Sequence, residues 1–124
     1  MTTRTPLSQV EGLGASRTGT SHFWRQRITA MALIPLTIWF VWSVLTLIGA
    51  DRDTALAFLK MPANAVLMGL FIVITAIHMT LGLQMVIEDY VHGEGQKIVL
   101  LVLNQFFAWL VAAATIYALV RIAL

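Results

Sequence analysis

Three runs without charge constrain this chain more than anything else in it. Ile28 to Ala50 carries no charged side chain, Ala63 to Ile87 carries one titratable side chain, His78, and Ile98 to Val120 is again uncharged. At about 1.5 Å per residue, each run is long enough as an α-helix to cross a hydrocarbon core of roughly 30 Å. Lipid offers the backbone no hydrogen bonds, so each run must close its own N–H and C=O groups, which a helix does. The sequence is therefore read as all-α, an integral membrane protein of three transmembrane helices with spans about 28–50, 63–87 and 98–120. Residues 1–27 form an amino-terminal segment before a three-helix anchor, 28–124.

Composition agrees with this reading. The chain is 59% hydrophobic and 11% charged, against roughly a quarter charged in soluble domains. With no Cys, disulfides, thiolate zinc sites, protein-held iron–sulfur clusters and covalent haem attachment are excluded, so a cofactor must hang on His or on noncovalent contacts. The net charge of +2, with no basic run, does not point to nucleic acid.

Met1–Ser21 is polar and broken by Pro6, Gly12, Gly14 and Gly19, and reads as flexible or surface-lying chain rather than a cleavable signal. His22-Phe-Trp-Arg-Gln-Arg27 has the aromatic and basic character of an interfacial anchor. Pro35 removes one backbone bond inside the first span and is expected to kink it. Asp51-Arg52-Asp53-Thr54 ends that span and caps a short segment to Lys60, and Pro62 starts the next helix. Glu88–Lys97 reads as a polar loop, because Gly93 and Gly95 oppose a continuous helix.

Arg4, Arg17, Arg25 and Arg27 precede the first span, whereas Arg52 and Lys60 follow it, so the amino terminus is expected in the cytoplasm and the carboxyl terminus in the periplasm. Parity puts the second loop on the amino-terminal side. Arg25, Arg27, Asp89 and Tyr90 are thus expected at one membrane face.

Chemistry concentrates in His78–Tyr90. On a helix, Gly82 lies about 40° from His78, and Met85 and Asp89 about 20° to either side, so one face carries ring, gap and carboxylate. An imidazole in a span is costly unless it finds a partner. It is either an axial ligand to haem iron, with Gly82 leaving room for the macrocycle, or a helix-to-helix hydrogen bond with Gly82 and Ala76 as small packing residues. If haem is bound, a second ligand must come from another chain, since His22 and His92 fall outside the hydrocarbon on this reading; the helices then belong to a heteromeric bundle.

Tyr90 and Asp89 stand where a phenol and a carboxylate can meet a ligand oxygen, or where an aromatic belt and a solvated helix end would place them anyway. Arg25 and Arg27 suit anionic groups such as haem propionates, and equally the ordinary flanking charge. Asn104 and Gln105 are expected to pack against neighbouring polar groups, and Trp39, Trp42 and Trp109 to pack or anchor. A proton-conducting subunit using His78, Glu88 and Asp89 is a further reading, weakened by the single titratable group within the spans.

The set Arg17-x-Gly19, Arg27-x-Thr29-Ala30 entering the first span, and His78-x3-Gly82-x6-Asp89-Tyr90 leaving the second resembles the small hydrophobic membrane anchors of succinate dehydrogenase, respiratory complex II. The likeness extends over nearly the whole chain in length, span count and motif order. It implies that His78 ligates a b-type haem (heme b) shared with a cytochrome b anchor subunit, which supplies the second ligand. It implies that Tyr90 hydrogen-bonds ubiquinone with Asp89 nearby, and that Arg27 lies near the haem propionates and the quinone. Arg25 has no clear counterpart. The implied partners are the flavoprotein and iron–sulfur subunits and membrane lipid, in a cell inner membrane. The chain itself would be an enzyme subunit with no catalytic residue and no succinate site. A noncatalytic scaffold or assembly subunit, or the anchor of a related quinol:fumarate reductase, are the alternatives.

Overall fold

The computed structural model describes residues 6–7 and 17–124, with side chains in the first long helix described from Ser21 onward. Four helices follow in order: α1 (Arg17–Leu47), α2 (Arg52–Lys60), α3 (Pro62–Tyr90) and α4 (Glu94–Ala123). Three of them, over Ser21–Leu47, Pro62–Tyr90 and Glu94–Ala123, are long and apolar enough to cross a membrane. The all-α, three-span reading therefore holds.

The helices are longer than the apolar runs that seed them. Arg17–Ser21, expected to be flexible or surface-lying chain, already forms the first turn of α1, whereas residues 1–5 and 8–16 lie outside the described residues. Helix α1 continues through Pro35. At the other end of α3, Glu88, Asp89 and Tyr90 are helical, so the expected ten-residue loop shrinks to Val91–Gly93. Gly93 stands just before α4 and Gly95 lies within it, so only the three residues between helices break the path. A polar residue ends a membrane span without ending a helix, because the backbone bonds close equally well in water.

The connection between α1 and α3 matches its sequence signals. Asp51 accepts a hydrogen bond from the Thr54 backbone N–H at 2.9 Å, and the Thr54 side chain together with this backbone contact holds its carboxyl below the ordinary aspartate value. Pro62 occupies the first turn of α3, where its missing N–H costs nothing. Phe58 of α2 stacks on Trp39 of α1 at 6.3 Å, and its carbonyl accepts from Asn64 Nδ2 at 3.0 Å, so α2 braces the far ends of α1 and α3.

The spans form a layer with α3 in the middle. Helix α1 packs on α3 and α3 packs on α4, whereas α1 and α4 scarcely touch. The reason lies in opposite stripes of α3. Phe71, His78 and Gly82 face α1: Phe71 stacks on Phe40 at 4.7 Å, and a Cβ at Gly82 would sit 3.6 Å from Gln26 Nε2. Gly69 lies about 180° around the helix from His78 and faces α4, where a Cβ would meet Leu119 at 3.7 Å. On that second side Asn104, 8% exposed, donates from Nδ2 to the Thr80 carbonyl at 3.1 Å. Small residues let the backbones approach, and a polar side chain ties them, as is usual where lipid removes the hydrophobic driving force between helices.

Two outcomes test this packing. Gly82→Ala should assemble normally, since its methyl meets Gln26 at ordinary contact distance, whereas Gly82→Leu should separate α1 from α3 and abolish co-purification with partner subunits. Asn104→Ala should lower the unfolding free energy of the detergent-solubilised protein by about 1 kcal/mol, and an unchanged denaturation midpoint would remove the bond's assigned role.

Candidate functional site

His78 is half-buried between α1 and α3, and its Nδ1 lies 3.0 Å from Thr29 Oγ1. Thr29 belongs to the Arg27-x-Thr29-Ala30 stretch but carries no chemical signal of its own, and sequence reasoning assigned it no role. The same hydroxyl lies 2.7 Å from the Arg25 carbonyl and 3.1 Å from the Gln26 carbonyl, within its own helix. The face carrying His78 and Gly82 is therefore covered by α1. The gap expected at Gly82 for a macrocycle edge is instead filled by Gln26, because the glycine is what lets α1 come close.

The pairs Thr29 with His78 and Gln26 with Gly82 fix the antiparallel register. The start of α1 and the end of α3 lie at the same end of the layer, as orientation arithmetic expected. Within that end the groups lie at different depths. Tyr90 lies eight residues beyond Gly82, about 12 Å further along the axis, whereas Arg25 and Arg27 flank Gln26 itself. Two helical extensions, at the start of α1 and the end of α3, cause the offset. Arg27 is within about 3 Å of Thr29 along α1, so it belongs to the level of His78 rather than of Tyr90.

The two Arg side chains also part company. Arg27 is exposed and lies over the Phe23 ring at 5.2 Å from its centroid, one turn back toward the amino terminus. Arg25 lines a groove of about 350 Å³ between α3 and α4, together with Gln84, Gln105, Leu81, Ala108 and Trp109. Gln105, expected to pack as Asn104 does, is exposed in this groove, and Gln84 donates to Glu88 at 2.9 Å. Trp39 packs on Phe58, while Trp42 and Trp109 face outward.

Tyr90 is the last residue of α3 and is 77% exposed. It forms part of an open cleft of about 770 Å³ with His92, Gln96, Val99 and Leu100, at the short connection into α4. Asp89 is exposed beside it on α3. His22, expected outside the membrane, lies in α1 with Nε2 buried and unpartnered among the described residues, and Gln26 Oε1 one turn on is likewise unpartnered. Among the described residues no three His, Asp or Glu side chains converge, and His22 and His78 are the two imidazoles that fall within the candidate spans.

The geometry thus offers the His78 imidazole in the seam between α1 and α3 and, about 18 Å along the same helix, an exposed phenol in a cleft. Residues 1–112 match the family model described as succinate dehydrogenase/fumarate reductase transmembrane subunit. The chain is 35% identical to the succinate dehydrogenase hydrophobic membrane anchor subunit of Paracoccus denitrificans, covering 97% of this chain and 92% of that one. It is 32% identical to the corresponding subunit of Rickettsia felis, over 90% and 92% of the two chains, and 35% identical to the succinate dehydrogenase membrane anchor subunit of Reclinomonas americana, over 75% and 80%. No solved structure matches it. A chain with three apolar helices and this breadth of likeness belongs to the family of succinate dehydrogenase/fumarate reductase transmembrane subunits.

Proposed function

We propose that this chain anchors the flavin and iron–sulfur subunits of a succinate:ubiquinone oxidoreductase on the cytoplasmic face of an inner membrane, and lends part of a b-type haem site and part of a quinone site. The observation that carries the reading is the state of His78: one ring nitrogen is engaged by Thr29, and the other has no hydrogen-bond partner among the described residues. An imidazole with one nitrogen left unengaged, in an apolar setting, fits a haem axial position. His78 would hold the iron jointly with a ligand from the cytochrome b anchor. Arg27, at the same level, is the chain's candidate for a propionate. Bound there, a b-type haem stores and passes single electrons.

Tyr90 has a different task. Its exposed phenol donates a hydrogen bond to a quinone carbonyl oxygen, and Asp89 beside it offers a carboxylate for proton delivery from water. A quinone that gains electrons must also gain protons, so an aqueous rim suits it where the shielded His78 does not. The offset between Arg27 and Tyr90 supports giving Arg27 to the haem level and leaving the quinone with Tyr90 and Asp89.

The Thr29 contact also favours a second reading, in which His78 only ties α1 to α3 in a noncatalytic scaffold. Absorbance spectra decide between them. In the purified complex, His78→Ala should remove or strongly weaken the low-spin b-haem bands; an unaltered spectrum would leave only the scaffold. Tyr90→Phe should lower quinone reduction by about tenfold, the loss expected of one hydrogen bond to the reacting group, with succinate-to-dye electron transfer retained. Normal quinone turnover in that variant would remove Tyr90 from the site.

A further inference from the structure

The hydrogen bonds around Thr29 carry more than the packing of two helices. A hydroxyl has one proton. Its oxygen lies 2.7 Å from the Arg25 carbonyl, the usual separation for an O–H···O bond, and 3.0 Å from His78 Nδ1, the usual separation for an N–H bonded to oxygen. Threonine in a helix commonly donates to the carbonyl four residues back, which is the contact seen here. Once that proton is given to Arg25, Thr29 Oγ1 can only accept from His78. In a neutral ring, the form in which imidazole ligates a metal, Nδ1 then carries the proton and Nε2 keeps its lone pair.

We propose that Thr29 is a positioning residue, which holds His78 as the Nδ1–H tautomer so that Nε2 is the ligating nitrogen. This rests on the haem reading above and deepens it. Two consequences follow from the bond itself. The ring's rotation about its Cβ–Cγ bond is fixed by a partner on another helix, so the ligand's direction depends on α1 sitting against α3. Donation from Nδ1 also raises the basicity of Nε2, since the ring shares its proton with an acceptor, and a more basic ligand favours the ferric state of a haem. Gly82 contributes by allowing Gln26, and with it Thr29, to approach α3.

The test compares Thr29→Val and Thr29→Ser in the assembled complex, by redox titration of the haem bands and by the low-spin ferric electron paramagnetic resonance signal. Valine keeps the shape and removes the acceptor, so the midpoint potential should rise and the resonance positions should shift; serine should restore both to wild-type values. If the valine variant fails to assemble, Thr29→Ala removes the same oxygen with a smaller side chain and carries the comparison. A potential and resonance unchanged by loss of the hydroxyl would overturn the proposal, as would a serine variant that behaves like valine. His78→Ala run alongside separates the failures: haem bands that survive it end the haem reading, whereas bands lost in it but indifferent to Thr29 end only the role of the hydroxyl.

Discussion

The backbone's need for hydrogen bonds in a medium that supplies none governs this structure. It makes each apolar run a helix, and it also limits how helices can hold one another, because lipid is as apolar as the side chains they would bury. Only four apolar residues, Leu36, Leu81, Ala108 and Leu119, are buried among the described residues. The contacts that set register are correspondingly sparse and polar: Thr29 to His78 on one side of α3, and Asn104 to the Thr80 carbonyl on the other.

A central helix with neighbours on opposite sides produces a layer, and a layer keeps both of its faces. One face carries the groove lined by Arg25, Gln84 and Gln105. The end of the layer carries the cleft at Tyr90. His78 belongs to neither, since its ring lies in the seam between α1 and α3. The one hydrogen bond across that seam among the described residues engages Nδ1 and leaves the other ring nitrogen without a partner, which suits the proposed site completed by another subunit.

The separation of His78 from Tyr90 follows from their places on one rigid helix. A helix transmits distance faithfully, about 1.5 Å for each residue, so twelve positions hold the two groups roughly 18 Å apart whatever the loops do. On the proposed reading, a haem held at His78 and a quinone met at Tyr90 would lie at different depths set by the same element. The extension of α3 through Glu88–Tyr90 makes this separation firm, where a flexible loop would not.

Much of this was legible beforehand. Absence of charge over three long runs determined the helices, Asp51 and Pro62 determined the ends of α2 and the start of α3, and the spacing from His78 to Asp89-Tyr90 marked the chemical face. What the sequence could not decide was everything that depends on which helix lies against which face. Helix ends beyond the apolar runs, at Arg17 and Tyr90, have no hydropathy signal because water and lipid both tolerate a helical backbone. The filling of Gly82 by Gln26, the parting of Arg25 from Arg27, and the choice of Thr29 as the partner of His78 all need the register of α1 on α3. A local pattern sets the period of a helix, but its rotation and offset against a neighbour are fixed by contacts between residues 49 positions apart, and only the tertiary structure holds those.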